Sequence, residues 1–551
     1  MKLGRSPRRW LLVSVSGAVC ASTLVAGPAY AGAPKPPTDT DVVGTTWGDE
    51  KADKKSLDWY DKNDAKKDPG SLYTITDAIG ARDVWKSKDA QGRPVTGQGV
   101  TVAVIDSGVA GVAGLDAPGK IVRGPDLSLE NNSQTELGYD TFGHGTHMAS
   151  IIAAKDAAAV DPRSGALKAG DASVQLGVAP DAQVLALKLA STDGSTDVSQ
   201  VIAALDWVTE HKDDDGMNVR VVNLSFGTEA LQPYEADPLA AAAENAWRKG
   251  LIVVVSGGNG GRDANGLTNP AIDPYVLAVG ASDANLKVDG WTKHPRVADF
   301  SSRGTQERHV DLLAPGASVV GLRGPGSWVD LNHPEGRVAG DQSGRLFRGS
   351  GTSQAAAVVS GAVALMVQAY PELTPDQVKA ALMQSATELK GNADPIDAGA
   401  GQIDVDDAVE VVKKAAGSKT PAATPLAARQ SFPVATGTGS LELARGGANL
   451  VDPTTGALLV GEVDVQGQPW DATTWARESA AGTTWSGGTW NRARWSGDGW
   501  TSQGWSRARW SGETWSRARW SDVSWERARW SRARWSDASW ERARWSGSAW
   551  S

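Results

Sequence analysis

Short apolar segments rich in Val and Ile alternate with amphipathic segments through the middle of the chain. Such runs are typical of strands that are buried on both faces, and the segments between them have the apolar spacing of helices. Alternating strands and helices joined by right-handed crossovers predict an α/β fold, with a parallel sheet covered by helices on both faces. The predicted strands are 100–105, 184–189, 219–224 and 252–255, and the predicted helices include 197–210 and 238–249.

A further helix start is marked by its capping residues. Thr374 has the side chain of an N-cap, Pro375 suits the first helical position, and Gln377 can complete a capping box. We therefore expect a helix to begin at Pro375.

The amino-terminal residues have the composition of an export signal. A basic start is followed by an apolar run to about residue 26 and by the small-residue site Ala29-Tyr30-Ala31. A membrane anchor is the alternative, but the run is short for a span. The only cysteine, Cys20, lies within this segment. We therefore predict a secreted protein whose mature chain contains no disulfide.

Changes in composition divide the chain into six segments. A charged segment precedes the α/β region, and a linker rich in Ser, Lys, Thr, Pro and Ala follows it. Beyond the linker, short alternating runs predict a small β segment, and tryptophan then becomes frequent. The predicted boundaries are 1–31 for the signal peptide, 32–68 for the charged segment, 69–417 for the α/β domain, 418–432 for the linker, 433–469 for the small β segment and 470–551 for the low-complexity tryptophan tail.

The tail repeats with a period of five. Tryptophan occurs at 470 and 475 and then at every fifth residue from 485 to 550. On an α-helix successive tryptophans would be about 140° apart, and on a strand they would alternate between faces, so the period selects neither structure. Arg-Ala-Arg-Trp recurs at 492–495, 507–510, 517–520, 527–530, 532–535 and 542–545.

Three interpretations of the tail remain open. It can be a loosely ordered low-complexity segment, or a module that inserts into a membrane surface. It can also be an attachment module, in which tryptophan rings stack on sugars and arginines meet the anionic polymers of a bacterial cell wall. Residues 471–551 contain 13 Arg and 8 acidic residues, a net charge of +5.

Three glycine-flanked motifs place an acid, an imidazole and a hydroxyl along the chain. Asp106 ends an apolar strand, His144 lies in Gly-His-Gly-Thr-His, and Ser353 lies in Gly-Thr-Ser before an apolar helix. These three groups together can make an alcohol nucleophilic near neutral pH. The motifs and their order resemble the subtilisin family of serine proteases over about residues 69–417.

The resemblance implies a three-layer fold with a parallel central sheet, and it implies a role for each motif. Asp106 would orient the imidazole, His144 would act as general base and then acid, and Ser353 would be the nucleophile. Asn259, in the segment 256–260, would donate to the oxyanion. The family's substrate-binding edge corresponds to Ser225, Phe226 and Gly227.

The chain departs from the family pattern in two places. Gln354 and Ala357 stand where the family usually has Met and Pro, and the 37 residues of 32–68 are few for a folded propeptide. The sequence therefore predicts a secreted serine endopeptidase that forms a serine acyl-enzyme. The alternative is a cell-surface or cell-wall binding protein whose protease domain is a latent scaffold.

The remaining expectations concern cofactors and partners. The chemistry requires no cofactor, and structural calcium is a family feature, but the acidic cluster 126–136 matches no calcium loop and the metal site stays unknown. A His144–His147 metal pair lacks a third ligand with suitable spacing. The net charge of −9 gives no indication of the excess of basic residues that is typical of nucleic-acid-binding proteins. We expect a monomer that acts on polypeptides and whose tail is a candidate for binding cell-wall polymers.

Overall fold

A mainly parallel sheet occupies the centre of the computed structural model. The structure describes residues 64–130, 138–264, 266–283, 295–389, 394–418, 425–451, 457–495 and 534–535. The predicted signal peptide, most of the charged segment 32–68, part of the linker and most of the later tryptophan repeats lie outside the described residues.

The described strands are short, and six of them are buried along their whole length. In chain order they are β1 (Thr101–Asp106), β2 (Ile121–Asp126), β3 (Gln183–Lys188), β4 (Val219–Leu224), β5 (Phe226–Gly227), β6 (Ile252–Ser256), β7 (Leu277–Asp283), β8 (Arg296–Val297), β9 (Leu312–Pro315), β10 (Val319–Leu322), β11 (Leu346–Gly349), β12 (Thr489–Trp490), β13 (Ala493–Arg494) and β14 (Arg534–Trp535).

The described helices are α1 (Asp64–Lys67), α2 (Leu72–Ala78), α3 (Ala81–Val84), α4 (His144–Ala153), α5 (Val198–His211), α6 (Pro238–Arg248), α7 (Trp328–Asn332), α8 (Thr352–Ala369), α9 (Pro375–Ser385), α10 (Pro395–Ala398), α11 (Val405–Ala416), α12 (Leu441–Ala444) and α13 (Ala472–Ala481). The four predicted strands and the predicted helices coincide with β1, β3, β4, β6, α5, α6 and α9 to within one or two residues. The predicted capping box of Thr374 and Gln377 is present at the start of α9.

The central sheet has the order β2-β3-β1-β4-β6-β7-β8 among the described residues, and β9 also pairs with β7. All of its pairings are parallel except that of β7 with β8. The chain fills the sheet on one side of β1 with β2 and β3 and then crosses to β4 on the other side. Such a reversal opens a crevice at the carboxyl ends of the strands, here at β1 and β4.

Two groups of helices cover the sheet. Helices α4 and α8 contact each other and β1, whereas α5 and α6 pack together and contact β1 and β6 respectively. This arrangement confirms the predicted three-layer α/β fold. Helix α8 is the one described helix that is long and apolar enough to cross a membrane, and it is almost entirely buried within the protein.

The segment after the α/β domain covers the outer side of α5 and α6. Helix α12 contacts both helices, and α13 contacts α6. Within 433–469 the described residues contain α12 and two isolated β-bridges, so this segment has less regular structure than the predicted β segment.

A buried arginine joins this segment to the start of α5. Arg445 is fully buried, and its Nε lies 2.7 Å from Oδ2 of Asp197, the N-cap of α5. Its Nη1 donates to the carbonyl of Gly461 at 2.7 Å and to Glu442 at 3.0 Å. A buried guanidinium needs this number of acceptors, because an unpaired charge in the interior is strongly destabilising.

The first tryptophans of the tail pack on α5 around one buried carboxylate. Trp475 and Trp490 donate their indole N–H groups to Oδ2 of Asp206 at 2.8 and 2.9 Å, and Ser479 donates to Oδ1 at 2.7 Å. The Trp490 ring lies 5.6 Å from the Trp495 ring. Residues 470–495 are therefore an ordered part of the protein, with polar and aromatic contacts that the repeat period alone did not predict.

We predict that Trp490→Phe lowers the free energy of unfolding more than Trp495→Phe does. Both rings are buried, but Trp490 donates to a carboxylate, whereas Trp495 donates to a backbone carbonyl at 3.2 Å. Losing a hydrogen bond to a charged group costs about 1.5–3 kcal/mol, against about 1 kcal/mol for a neutral one. Urea unfolding at pH 8, followed by circular dichroism, measures both. Equal losses would contradict the assigned role of Asp206.

We also predict a pH dependence of stability that originates at Asp206. Burial raises the pKa of Asp206 from 3.8 to about 6, although the hydrogen bonds from Ser479, Trp490 and Trp475 oppose the rise. The folded protein therefore holds a proton that the unfolded chain has already released between about pH 4 and 6. The contribution to stability is full below pH 4 and is lost as the pH rises through 6.

The difference in unfolding free energy between the wild type and Asp206→Asn should therefore fall by up to about 3 kcal/mol from pH 4 to pH 7. Asp214→Asn, at an exposed position outside α5, is the matched control for the exchange of a carboxyl for an amide. A pH-independent difference for Asp206→Asn would show that this carboxyl does not titrate in the range.

Candidate active site

The carboxyl end of β1 meets the start of α4 at a buried hydrogen bond. Asp106 is the last residue of β1, and both of its carboxylate oxygens lie 2.9 Å from Nδ1 of His144, the first residue of α4. Both side chains are fully buried. The backbone N–H of Ser107 donates to Oδ1 of Asp106 at 2.7 Å, which also orients the carboxylate. The geometry directs Nε2 of His144 away from Asp106.

A second buried carboxylate holds the helix start in place. Asp140 accepts hydrogen bonds from the backbone N–H groups of Gly143 and Thr146 at 2.6 and 2.7 Å. Ser107 donates to Asp140 at 2.7 Å and accepts from the N–H of Gly145 at 2.9 Å. Burial raises the pKa of Asp140, while these hydrogen bonds oppose the rise. Asp140 is not among the site residues predicted from the sequence, although an Asp shortly before a helix start is a typical capping signal.

Gly143 is required at this helix start for two reasons. Its φ of 110° lies in the region that favours glycine, and a Cβ there would be 2.5 Å from Oγ of Ser327. Any larger residue would displace the backbone that leads into His144.

Ser353 lies in the first turn of α8, as predicted. The helix begins at Thr352 after Gly351, and the Ser353 side chain is fully buried. Neither Oγ of Ser353 nor Nε2 of His144 has a hydrogen-bond partner within the part of the chain that the structure describes. The structure thus joins Asp106 to His144 directly, and it leaves these two atoms without a bond to each other.

Asn259 follows β6 and is fixed to the turn that carries Ser353. Its Oδ1 accepts from the backbone N–H of Thr352 at 2.8 Å and from the Thr352 hydroxyl at 2.9 Å. The amide nitrogen therefore points the other way, and a Cβ built on Gly351 would lie 3.4 Å from it. The sequence analysis gave Thr352 no role of its own, whereas the structure shows that it orients the Asn259 amide.

The segment after β4 reaches the same turn. The hydroxyl of Ser225 donates to the carbonyl of Ser353 at 3.3 Å, and Phe226 and Gly227 form the short strand β5. A Cβ on Gly227 would be 2.5 Å from the Thr268 hydroxyl, so only glycine fits there. The predicted substrate-binding residues therefore lie beside the predicted nucleophile.

Comparison with known proteins agrees with this geometry. The model of the Subtilase family matches residues 97–401, which is more than half of the chain. The chain belongs to the subtilase family. It is therefore a subtilisin-like serine endopeptidase, as the three motifs predicted.

Individual relatives are similar over the same region. Serine protease AprX of Bacillus subtilis is 34% identical over 344 residues, which are 61% of this chain and 71% of that protein. Subtilisin DY of Bacillus licheniformis is 30% identical over 327 residues, 59% of this chain and 96% of that protein. The match to the crystal structure of fervidolysin from Fervidobacterium pennivorans, a keratinolytic enzyme related to subtilisin, covers 63% of this chain and 47% of the fervidolysin chain. The sequence identity is 25% and the TM-score is 0.45.

Subtilases need no cofactor for catalysis and often bind structural calcium. In this chain the described acidic residues of the cluster 126–136 make hydrogen bonds or ion pairs with other protein groups. Asp126 accepts from Ser128 and from the N–H of Gly138, and Glu130 lies 2.9 Å from the buried Nζ of Lys188. The described residues contain no group of three or more His, Cys, Asp or Glu that could hold a metal ion. Residues 131–136 lie outside the described part.

The second histidine of the motif is a packed residue. His147 is buried in α4, and its Nε2 lies 3.2 Å from the carbonyl of Phe347. Burial, together with the neighbouring His144, lowers the pKa of His147 to about 3. His147 is therefore neutral across the physiological range and adds no charge beside His144.

Proposed function

We propose that Asp106, His144 and Ser353 are the catalytic triad of a secreted subtilase. The observation that carries this proposal is the buried hydrogen bond between Asp106 and Nδ1 of His144, which fixes the tautomer with Nε2 unprotonated. In that tautomer Nε2 can take the proton of the Ser353 hydroxyl as its oxygen attacks a peptide carbonyl. The buried Asp106 carboxylate then stabilises the imidazolium that forms.

The oxyanion of the tetrahedral intermediate would be held by two donors. One is Nδ2 of Asn259, whose orientation follows from the hydrogen bonds of its Oδ1 to Thr352. The other is the backbone N–H of Ser353, in the first turn of α8, where the helix dipole favours negative charge. Donors that are already oriented cost no reorganisation as charge develops.

Collapse of the intermediate breaks the peptide bond. His144 gives its proton to the leaving amine, and the acyl group remains on Ser353 as an ester. Water then attacks the ester, with His144 again as base, and the acid product leaves. These steps use the side chains of the proposed triad, the peptide and one water molecule.

Substrates would be extended polypeptides bound along Ser225, Phe226 and Gly227. Main-chain pairing with a short edge gives affinity with modest demands on sequence. We propose that the enzyme acts outside the cell as a monomer, and that cell-wall polymers are candidate ligands of the tail. Family membership favours the enzyme over a binding protein with a latent protease scaffold.

Ser353→Ala tests the nucleophile. The wild type should react covalently with a fluorophosphonate probe, and the variant should neither react nor hydrolyse peptides, with kcat reduced by at least about 10⁴-fold. Ser350→Ala is the matched control, since Ser350 lies on the same turn and its hydroxyl accepts from the N–H of Ser318. If a folded wild type fails to label, or if Ser353→Ala still labels, the proposed triad is wrong.

Thr352 tests the orientation of Asn259. Thr352→Val removes the hydroxyl donor to Oδ1, whereas Thr352→Ser keeps it. We expect kcat to fall about tenfold in Thr352→Val with little change in KM, as the loss of one hydrogen bond of about 1 kcal/mol allows. Thr352→Ser should recover most of that loss. A rise in KM alone, or equal rates in both variants, would contradict a positioning role for Thr352.

A further inference from the structure

The proposed substrate-binding edge is already paired with a strand of the same chain. Strand β14 lies antiparallel to β5, with Arg534 opposite Gly227 and Trp535 opposite Phe226. Antiparallel addition of an extended peptide to a short exposed edge is a general mode of peptide recognition. The backbone of Arg534 and Trp535 therefore occupies the place at which an external polypeptide would bind.

The direction of β14 is that of a chain that approaches the nucleophile. Because the pairing is antiparallel, the step from Arg534 to Trp535 runs in the same direction as the step from Gly227 back to Phe226. Continuing that direction along β5 leads to Ser225, whose hydroxyl is bonded to the carbonyl of Ser353. The two described residues of this part of the tail thus run along the edge in the direction of the site.

The side chains of the proposed active site and of its binding edge are buried. His144, Ser353 and Phe226 are fully inaccessible to solvent in the complete chain. A protease that accepts polypeptides from solution must expose its nucleophile and its binding edge to them. The pairing of β14 with β5 is one contact of this edge that an external polypeptide would have to replace.

The tail contains several further segments with the same sequence as the one that includes β14. Arg534 and Trp535 end the fifth of six Arg-Ala-Arg-Trp units. The whole chain carries a net charge of −9 and residues 471–551 carry +5, so residues 1–470 carry −14. Opposite net charges favour association of the tail with the rest of the protein. Tethered repeats also present a local concentration in about the millimolar range without any new contact.

We propose that the Arg-Trp end of an Arg-Ala-Arg-Trp unit of the C-terminal repeats binds along β5 as an extended strand and competes there with external polypeptide substrates. This inference rests on the proposed function, because it takes β5 to be the substrate-binding edge. It assigns the edge a ligand class, namely extended segments in which arginine and tryptophan are close together. Release of the tail then becomes a condition for turnover.

Disulfide trapping tests the pairing without relying on catalysis. Cys20 is the only cysteine of the chain and lies in the predicted signal peptide, so an introduced pair has no competitor. Paired residues of antiparallel strands have Cα atoms about 4.5–5.5 Å apart, within the range that a disulfide spans. The pair is Phe226→Cys with Trp535→Cys, made in full-length Ser353→Ala protein to prevent self-cleavage.

The matched control is Leu231→Cys with Trp535→Cys. Leu231 is close to β5 in sequence and 49% exposed, but it lies outside the strand. Peptide mapping should show disulfide formation at least about tenfold faster in the Phe226 pair, because paired residues are held together and tethered surface residues meet only by diffusion. Equal rates, or no disulfide in the Phe226 pair, would overturn the inference.

An activity measurement with Ser353 intact separates this inference from the proposed function. The oxidised Phe226→Cys, Trp535→Cys protein should hydrolyse a short peptide at least about tenfold more slowly than its reduced form. Equal activity of the two forms would overturn competition. Absence of activity and of fluorophosphonate labelling in the wild type would instead refute the proposed triad, and the trapping result in Ser353→Ala would still decide the pairing.

A photoreactive residue covers the case in which Phe226→Cys does not fold. Benzoylphenylalanine at position 535 leaves the α/β domain unchanged, and irradiation should attach it to residues 225–228. Attachment only elsewhere on the protein would overturn the inference.

Discussion

The parallel pairing of β1, β4 and β6 is the constraint on which the rest of the site depends. Because these strands are neighbours and run in one direction, their carboxyl ends lie side by side. Asp106 ends β1, Ser225 follows β4, and Asn259 follows β6, so three segments that are distant in sequence reach the same crevice. Helices α4 and α8 add His144 and Ser353. A change of register in the sheet would displace each of these groups at once.

Hydrogen bonds behind the site convert this placement into orientation. Asp140 and Ser107 hold the start of α4, and Thr352 holds the Asn259 amide. None of these groups needs to touch a substrate in the proposed mechanism. They determine which way the reacting groups point, which is the quantity that electrostatic stabilisation of a transition state depends on.

The sequence predicted the sheet, the helices and the places of the motifs, because apolar periodicity and capping residues are local signals. It did not predict that Trp475 and Trp490 converge on Asp206, or that Arg445 reaches Asp197. Those contacts join residues more than 240 positions apart, and a repeat of five residues carries no information about its partner. Family resemblance did not help there, since the family match ends at residue 401. The catalytic roles themselves stay predictions until the variants are measured.

The anchoring of Arg445 at the N-cap of α5 also has a consequence for the order of folding. Helix α5 lies in one of the two helix layers, yet the buried Asp197 at its start acquires its guanidinium partner only after 248 further residues have been made. Closing so long a loop is slow, because the chain loses conformational entropy before the stabilising contacts have formed. Until Arg445 has been made, the Asp197 carboxylate can accept the hydrogen bonds of Ser199 but has no guanidinium partner. The final stability of the peptidase domain is reached only when the carboxyl-terminal quarter of the chain has emerged.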